Sequence, residues 1–210
     1  MKAVLFDMDG TLVDSKRIHL DAWRIVFKRH NLKCTKAQLN SFFGRYDVDT
    51  FKDILKYNHV KGDPKKLADE RRKVSIALFK KHMKLFPGAK ELVHCIKAKK
   101  ALGTSSSRAE TNLFLKKYKF HFDAVLCRGE VKNHKPNPEL YLTLAKKLNV
   151  QPKDCIVVED SVAGVEAAKR AGMFCIAVTN SYPAKALKKA DLRVKSLNSI
   201  KVKKLLCANL

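Results

Sequence analysis

The chain has 210 residues, of which 46% are hydrophobic and 30% are charged, enough for one core or a core with a small second domain. No apolar run approaches the ~20 residues of a membrane span, and the first apolar run is too short for a signal peptide. The sequence therefore excludes an integral membrane protein, and we expect a cytoplasmic protein with no membrane partner.

The formal net charge is +24, from 44 lysines and arginines against 20 acidic residues. Such a charge favours phosphorylated ligands and non-specific binding of polyanions. Lysines are spread along the whole sequence, and it contains no long basic arm and no basic patch interleaved with aromatic residues. The pattern favours a solvated basic surface, and we expect no specific nucleic-acid partner.

The six cysteines show no Cys-x-x-Cys pairing, and several of them lie inside apolar runs. Buried cysteines of this kind behave as small hydrophobic residues. We therefore expect six free thiols in a reducing compartment.

The first predicted strand covers residues 3–6, four apolar residues that run directly into Asp7 and Asp9. Gly10 and Thr11 then break the strand with a tight turn. Residues two apart in an extended segment point the same way, so two carboxylates would lie close together. Carboxylate oxygens with waters and phosphate oxygens suit Mg2+. The alternative is that both are ordinary turn aspartates.

The next block is predicted to be entirely helical. Apolar spacing predicts a helix from Lys16 to about Arg29, with Ser15 as its N-cap. Further helices are predicted at 35–43, 49–57 and 64–84, and another at 89–100 after the Phe86-Pro87-Gly88 break.

From residue 101 onward, strands and helices alternate. The predicted strands are 101–104, 124–127, 156–158, 174–178 and 192–194, and the predicted helices are 109–119, 138–149, 162–171 and 183–190. Nearly continuous apolar strands that alternate with helices predict an α/β fold, a doubly wound (Rossmann-like) parallel sheet. We expect a catalytic core of residues 1–15 and 87–210, with an all-helical cap, residues 16–86, inserted after the first strand.

Three further groups follow strand ends, where ligands sit in a doubly wound sheet. Thr104-Ser105-Ser106-Ser107 opens a helix and can hold a phosphate, or simply cap the helix. Lys135 can place a positive charge on a phosphoryl oxygen or a carboxylate. Glu159 and Asp160 either share a cation with the first acidic pair or stabilise a helix dipole.

The four motifs, in this order and spacing, resemble those of the haloacid dehalogenase superfamily, in its beta-phosphoglucomutase-like branch of phosphatases and phosphomutases. The matching segments are Asp7-Met8-Asp9-Gly10-Thr11-Leu12-Val13-Asp14-Ser15, Thr104-Ser105-Ser106, Lys135-Pro136-Asn137-Pro138-Glu139 and Glu159-Asp160-Ser161. The resemblance covers essentially the whole chain. It implies a Mg2+-dependent phosphoric monoester hydrolase rather than a dehalogenase.

The resemblance implies a role for each matching residue. Asp7 would attack the phosphorus and form an aspartyl-phosphate, and Asp9 would act as general acid and then base. Mg2+ would be held by the Asp7 carboxylate, the Asp9 carbonyl and Asp160, with Glu159 as a further ligand or an outer partner. Thr104 would bond a phosphoryl oxygen, and Lys135 would neutralise charge. The expected substrate-binding residues are Gly10, Ser15, His19, Arg45, Ser105 and Ser106.

Substrate choice separates two predictions. Ser15, His19 and Trp23 fit the hexose-phosphate branch, although His19 is equally well explained as a half-buried helix residue. The mutases of this branch grip a second phosphate with a cap arginine, and Asp47 occupies that position here, while Arg45 lies in a shifted position. We therefore expect a monomeric phosphatase of small phosphorylated metabolites, with sugar phosphates as substrates. The alternatives are a beta-phosphoglucomutase-type phosphomutase and a basic nucleic-acid-binding protein on the same fold.

Overall fold

The computed structural model describes residues 1–42 and 47–207. The chain divides into two compact units, one formed by Met1–Asp14 with Lys84–Leu210 and the other by Ser15–Met83. We call the first the sheet unit and the second the helical unit.

The sheet unit is built on six parallel strands. They are β1 (Ala3–Phe6), β2 (Lys99–Gly103), β3 (Ala124–Leu126), β4 (Cys155–Glu159), β5 (Phe174–Val178) and β6 (Leu192–Val194). Their order across the sheet is β3-β2-β1-β4-β5-β6. This order confirms the predicted doubly wound sheet. The chain changes direction across the sheet between β1 and β4, and ligands bind beyond the carboxyl ends of the strands at such a point.

The described part of the helical unit contains four helices. They are α1 (Lys16–Arg29), α2 (Lys36–Ser41), α3 (Asp47–Tyr57) and α4 (Pro64–His82). Their apolar faces surround Trp23, whose ring centroid lies 4.8 Å from that of Phe51. Asp63 caps α4 by accepting the backbone N–H of Lys65 at 2.9 Å. The helical unit thus has an aromatic core of its own.

In the described residues of the sheet unit, five helices accompany the sheet. They are α5 (Ala89–Cys95), α6 (Arg108–Tyr118), α7 (Glu139–Lys147), α8 (Val162–Arg170) and α9 (Ile200–Leu206), with a 3-10 turn at Pro152–Asp154. The β1 strand is completely buried, as the continuous apolar run predicts. In the described residues, no helix is long and apolar enough to cross a membrane.

Two of the predicted helices need correction, and one helix was not predicted. Residues 183–190 form successive turns, because Ala186 N–H bonds the Pro183 carbonyl at 2.9 Å, an i to i−3 pattern that does not continue as an α-helix. The predicted helix 89–100 ends at Cys95, because Ile96 adopts an extended conformation. The α9 helix was not predicted, because its lysine-rich sequence buries only Val202 and Leu206.

The expectation of six free thiols is wrong for one pair. Cys95 at the end of α5 and Cys207 just after α9 form a disulfide across 112 residues of sequence. Their separation in sequence hid this pairing, because it depends on the packing of α9 beside α5. Cys127, Cys155 and Cys175 are free and buried, as expected.

Candidate active site

The site begins where β1 ends. The backbone N–H of Asp7 bonds the carbonyl of Val158 at 3.0 Å, so Asp7 is still held by the pairing of β1 with β4. Its side chain is almost completely buried, with the residue 6% exposed. Gly10 then turns the chain with a φ of +83°, a conformation that favours glycine. The buried carboxylate is therefore fixed at the carboxyl edge of the sheet.

Lys135 joins two of the acidic residues. Its ammonium donates to Asp7 Oδ1 at 2.6 Å and to Glu159 Oε1 at 2.7 Å. The lysine side chain is only 7% exposed. Three loops that are far apart in sequence thus place one positive and two negative groups in contact.

Asp160 is the third acidic residue at this edge. Its Oδ1 accepts the hydroxyl of Thr11 at 3.0 Å. Its Oδ2 is buried and accepts no well-formed hydrogen bond from the described residues, although the nearby Ser181 side chain helps to lower the pKa of the carboxyl. A side chain at Gly10 would place its Cβ 2.0 Å from that same oxygen. Glycine is therefore needed for both the turn and the close approach of Asp160.

Glu159 is held by an unusually complete set of donors. Lys135 and Tyr141 donate to its Oε1, and the backbone N–H groups of Asp160 and Ser161 donate to its Oε2 at 2.9 Å. The Ser161 hydroxyl also donates to Oε2. These donors occupy about all four lone-pair positions of a carboxylate. Glu159 is thus better suited to orient its neighbours than to bind a metal directly.

Burial and the neighbouring carboxylates both disfavour the ionised forms of Asp7 and Asp160, and the pKa values of both residues are raised. Burial, followed by the charge of Glu159, raises the pKa of Asp160 to about 7. Burial also raises the pKa of Asp7 well above its ordinary value, although the Lys135 ammonium opposes this. Burial alone would lower the pKa of Lys135, but the charges of Asp7 and Glu159 outweigh it and raise the pKa well above its usual range. Lys135 is therefore charged, and a further cation would favour both ionised aspartates.

A divalent cation fits this donor set. Ligand oxygens of Asp7, Glu159 and Asp160 all lie within 4.8 Å of one another. The unpartnered Oδ2 of Asp160 is a buried acceptor that a cation would satisfy. Because Glu159 is already saturated, Asp7 and Asp160 are the better side-chain ligands.

The hydroxyl loop after β2 contacts the second aspartate of the first motif. Thr104 Oγ1 and Ser106 Oγ donate to Asp9 Oδ2 at 3.2 Å and 2.6 Å. Ser105 is exposed. Ser107 caps α6 together with Glu110, so the capping interpretation holds for this last residue of the cluster. The loop therefore fixes the orientation of Asp9, a contact that the sequence did not predict.

The predicted cap residues belong to the helical unit. His19 is half-buried, and its Nδ1 lies 3.2 Å from Nη2 of Arg71. Ser15 is buried at the start of α1, but its side chain does not cap the helix as predicted. Arg45 lies outside the described residues.

Three contributing residues were missed from the sequence. They are Thr11, Tyr141 and Ser161. Thr11 and Ser161 lie inside the quoted motifs, and their hydroxyls bond the acidic residues directly. Tyr141 lies beyond the Lys135 motif, where it looked like one more apolar residue of α7. Burial, followed by the charge of Glu159, raises the pKa of its hydroxyl well above the ordinary value.

Known proteins with related sequences support a hydrolytic site. A family model described as haloacid dehalogenase-like hydrolase matches residues 4–178. The validoxylamine A 7'-phosphate phosphatase of Streptomyces hygroscopicus subsp. limoneus is 35% identical over 95% of this chain and 96% of its own length. A phosphorylated carbohydrates phosphatase of Thermotoga maritima is 34% identical over 82% of each chain.

A solved structure with the same fold is named for a different activity from those two phosphatases. The beta-phosphoglucomutase of Clostridium difficile is 29% identical, with a TM-score of 0.82 over 98% of this chain and 95% of its own. The two related phosphatases confirm the predicted enzyme class, a phosphoric monoester hydrolase. The matched family model and these two relatives show that the chain belongs to the haloacid dehalogenase-like hydrolase family.

Proposed function

We propose that this enzyme hydrolyses phosphate monoesters of small carbohydrates, with Mg2+ as cofactor and a covalent phosphoryl group on Asp7. The observation that carries the proposal is the buried contact of Asp7 with Lys135, 2.6 Å long, beside the unpartnered oxygen of Asp160. The relative named as a phosphorylated carbohydrates phosphatase supports the substrate class.

The proposed reaction has two displacements at phosphorus. An oxygen of Asp7 forms a bond to phosphorus while the bond to the sugar oxygen breaks, and Asp9 gives its proton to that leaving oxygen. In the second displacement, Asp9 takes a proton from a water molecule, and the water oxygen forms a bond to phosphorus. The bond between phosphorus and Asp7 breaks, which releases inorganic phosphate and restores the Asp7 carboxylate. The contacts of Asp9 with Thr104 and Ser106 support this role, because they orient its carboxylate.

The remaining residues at the edge of the sheet would balance charge. Lys135 keeps Asp7 ionised and neutralises a phosphoryl oxygen. The carboxylates of Asp7 and Asp160 would hold Mg2+, together with the carbonyl of Asp9, and Glu159 would be an outer partner. The bound cation would supply charge stabilisation to the phosphoryl oxygens.

The helical segment, residues 16–86, is proposed to act as a cap that selects the substrate. His19 is a candidate substrate contact within this segment, and Ser15 is a candidate directly before it. Gly10, Ser105 and Ser106 are candidates in the sheet unit. Asp47 begins α3 and is buried, and it forms an ion pair with Arg71 at 3.2 Å. Asp47 stands at the position of the mutase arginine, and its carboxylate is already paired with Arg71. This arrangement favours a phosphatase over a phosphomutase.

One assay separates the two activities. Purified enzyme with Mg2+ is incubated with a panel of hexose and pentose monophosphates, and inorganic phosphate and isomerised sugar phosphates are both quantified. We expect stoichiometric inorganic phosphate from at least one sugar phosphate. Isomerised sugar phosphate without inorganic phosphate would favour the mutase, and no turnover of any compound would overturn both.

The pKa of Asp160 predicts how Mg2+ acts on stability. A carboxyl with a folded pKa of about 7 and an ordinary value of 3.8 keeps its proton in the folded state between those values. Without Mg2+, the free energy of unfolding should therefore fall as pH rises through this window. Mg2+ needs the ionised carboxylate, so its stabilising effect should be larger at higher pH.

Thermal melts with and without Mg2+ measure this effect directly. At about 100 times the dissociation constant, bound Mg2+ should add about 2.7 kcal/mol at the alkaline end of the window and much less at the acid end. Asp160→Asn should lose most of the Mg2+ effect at both ends. Equal stabilisation by Mg2+ at the two ends would contradict the assignment.

A further inference from the structure

Tyr141 is a completely buried residue of α7 that belongs to none of the four motifs. Its hydroxyl donates to Glu159 Oε1 at 2.9 Å. Its ring centroid lies 5.1 Å from the ammonium of Lys135. Tyr141 therefore contacts both groups that stand behind the Asp7 carboxylate, but it does not touch Asp7 itself in any described contact.

The four side chains form one line of contacts. Tyr141 bonds Glu159, Glu159 bonds Lys135, and Lys135 bonds Asp7. The ammonium is shared between two carboxylates at nearly equal distances, 2.6 Å to Asp7 and 2.7 Å to Glu159. A small change in the charge that Glu159 presents would therefore shift the position of the ammonium between them. In a buried site, such changes are weakly screened.

We propose that Tyr141 is a positioning residue for the reaction. Its hydroxyl satisfies part of the negative charge on Glu159 Oε1, so that Lys135 remains in contact with Asp7 instead of moving towards Glu159. The face of its ring also supports the ammonium. This inference rests on the proposed phosphatase activity and adds a residue to it.

The test is the variant Tyr141→Phe, which keeps the ring and removes the hydroxyl. A hydrogen bond to a charged group is the interaction lost, so we expect kcat to fall roughly tenfold to a hundredfold. KM for the sugar phosphate should change by less than about twofold, because Tyr141 acts through Lys135 on the covalent step. A purely structural role would lower the melting temperature and leave kcat of the folded fraction unchanged.

The matched control is Tyr118→Phe. Tyr118 also lies in the sheet unit, and its hydroxyl bonds the backbone at Leu85. Its loss should lower the melting temperature by less than Tyr141→Phe, because Tyr118 is half-buried and its partner is uncharged, and it should leave kcat within about twofold of the parent enzyme. The comparison separates the effect of losing any tyrosine hydroxyl from the specific effect of losing the Tyr141 hydroxyl.

A double-mutant cycle with Glu159→Gln tests the route of the effect. Glutamine keeps the size of the side chain and removes the charge that Tyr141 is proposed to moderate. With the charge of Glu159 removed, no carboxylate there draws Lys135 away from Asp7, so adding Tyr141→Phe to Glu159→Gln should change kcat by less than about twofold. If Tyr141→Phe alone does not fold, the comparison of Glu159→Gln with the double variant decides the proposal, because a further loss of kcat of about tenfold or more on adding Tyr141→Phe would overturn it.

The outcomes also separate this inference from the proposed function. A parent enzyme that releases no phosphate would overturn the phosphatase assignment. An active parent enzyme with unchanged kcat in Tyr141→Phe, or with only KM raised, would overturn the role of Tyr141 alone. Independent, additive effects of the two substitutions would do the same.

Discussion

Asp7→Asn should abolish phosphate release, lowering kcat by roughly 10^4-fold or more, as expected for loss of a covalent nucleophile. Asparagine has nearly the shape of aspartate but cannot form the acyl phosphate. It also removes one of the two carboxylates that Lys135 contacts. Since burial opposes the charge of Asp7 in the Mg2+-free protein, the variant should be at least as stable as the parent.

The measurement for Asp7→Asn is steady-state phosphate release, with thermal melts as the check on folding. Asp154→Asn is the matched control, because its carboxylate pairs with Lys2 at the opposite end of the sheet. That control should retain full activity. An Asp7→Asn protein that is folded and keeps more than about a hundredth of the parent kcat would rule out Asp7 as the nucleophile.

Asp9→Asn is the second large effect. Loss of a general acid and base typically lowers kcat by about 10^2- to 10^4-fold. We expect a decrease of this size for sugar phosphates. The leaving oxygen of an aryl phosphate is weakly basic and needs no proton. The rate of phosphoryl transfer from an aryl phosphate to Asp7 should therefore fall much less in Asp9→Asn. The phosphorylated enzyme should then accumulate, because the asparagine side chain of this variant cannot activate water.

Single-turnover kinetics with both substrate types check this prediction. At saturating substrate, the parent enzyme should transfer the phosphoryl group to Asp7 at similar rates from sugar and aryl phosphates. Asp9→Asn should show fast transfer only from the aryl phosphate. Equal losses for both substrates would contradict the acid role of Asp9. Asp154→Asn is again the control.

Much of the sheet was predictable because its strands are continuous apolar runs. β5 lies where it was predicted, and β4 extends the predicted 156–158 by one residue at each end. The start of β2 was harder to predict, because the strand begins with two lysines. The Lys100 ammonium donates to the carbonyls of Val93 and Ile96 at the end of α5. In the sequence, such a lysine near the end of a helix is typical of a helix that continues, so it predicts helix instead of strand.

The family and the enzyme class were predictable from the motifs, and the comparisons confirm both. The spacing of Asp7 from Lys135 and Asp160 in sequence gives no distances, yet parallel strands must bring their carboxyl ends to one edge. The sequence alone therefore predicts that these charged residues lie together. The individual roles of these residues remain predictions.

The contacts that depend on packing were not predictable. Tyr141 matches the apolar face of α7, and only the fold shows that its hydroxyl reaches Glu159. The same holds for Ser106, because only the fold shows that its hydroxyl donates to Asp9. The disulfide of Cys95 with Cys207 likewise joins segments that share no sequence signal.

The central claim is that a phosphoryl group is carried by Asp7. It is tested most directly by mixing Asp9→Asn with an aryl phosphate and Mg2+, quenching in acid, and locating the added mass by peptide mass spectrometry. We predict one phosphoryl group per chain on the peptide that contains Asp7, and none in the Asp7→Asn, Asp9→Asn double variant. A phosphoryl group on any other residue, or rapid release of phosphate with no labelled protein at any time, would contradict the mechanism.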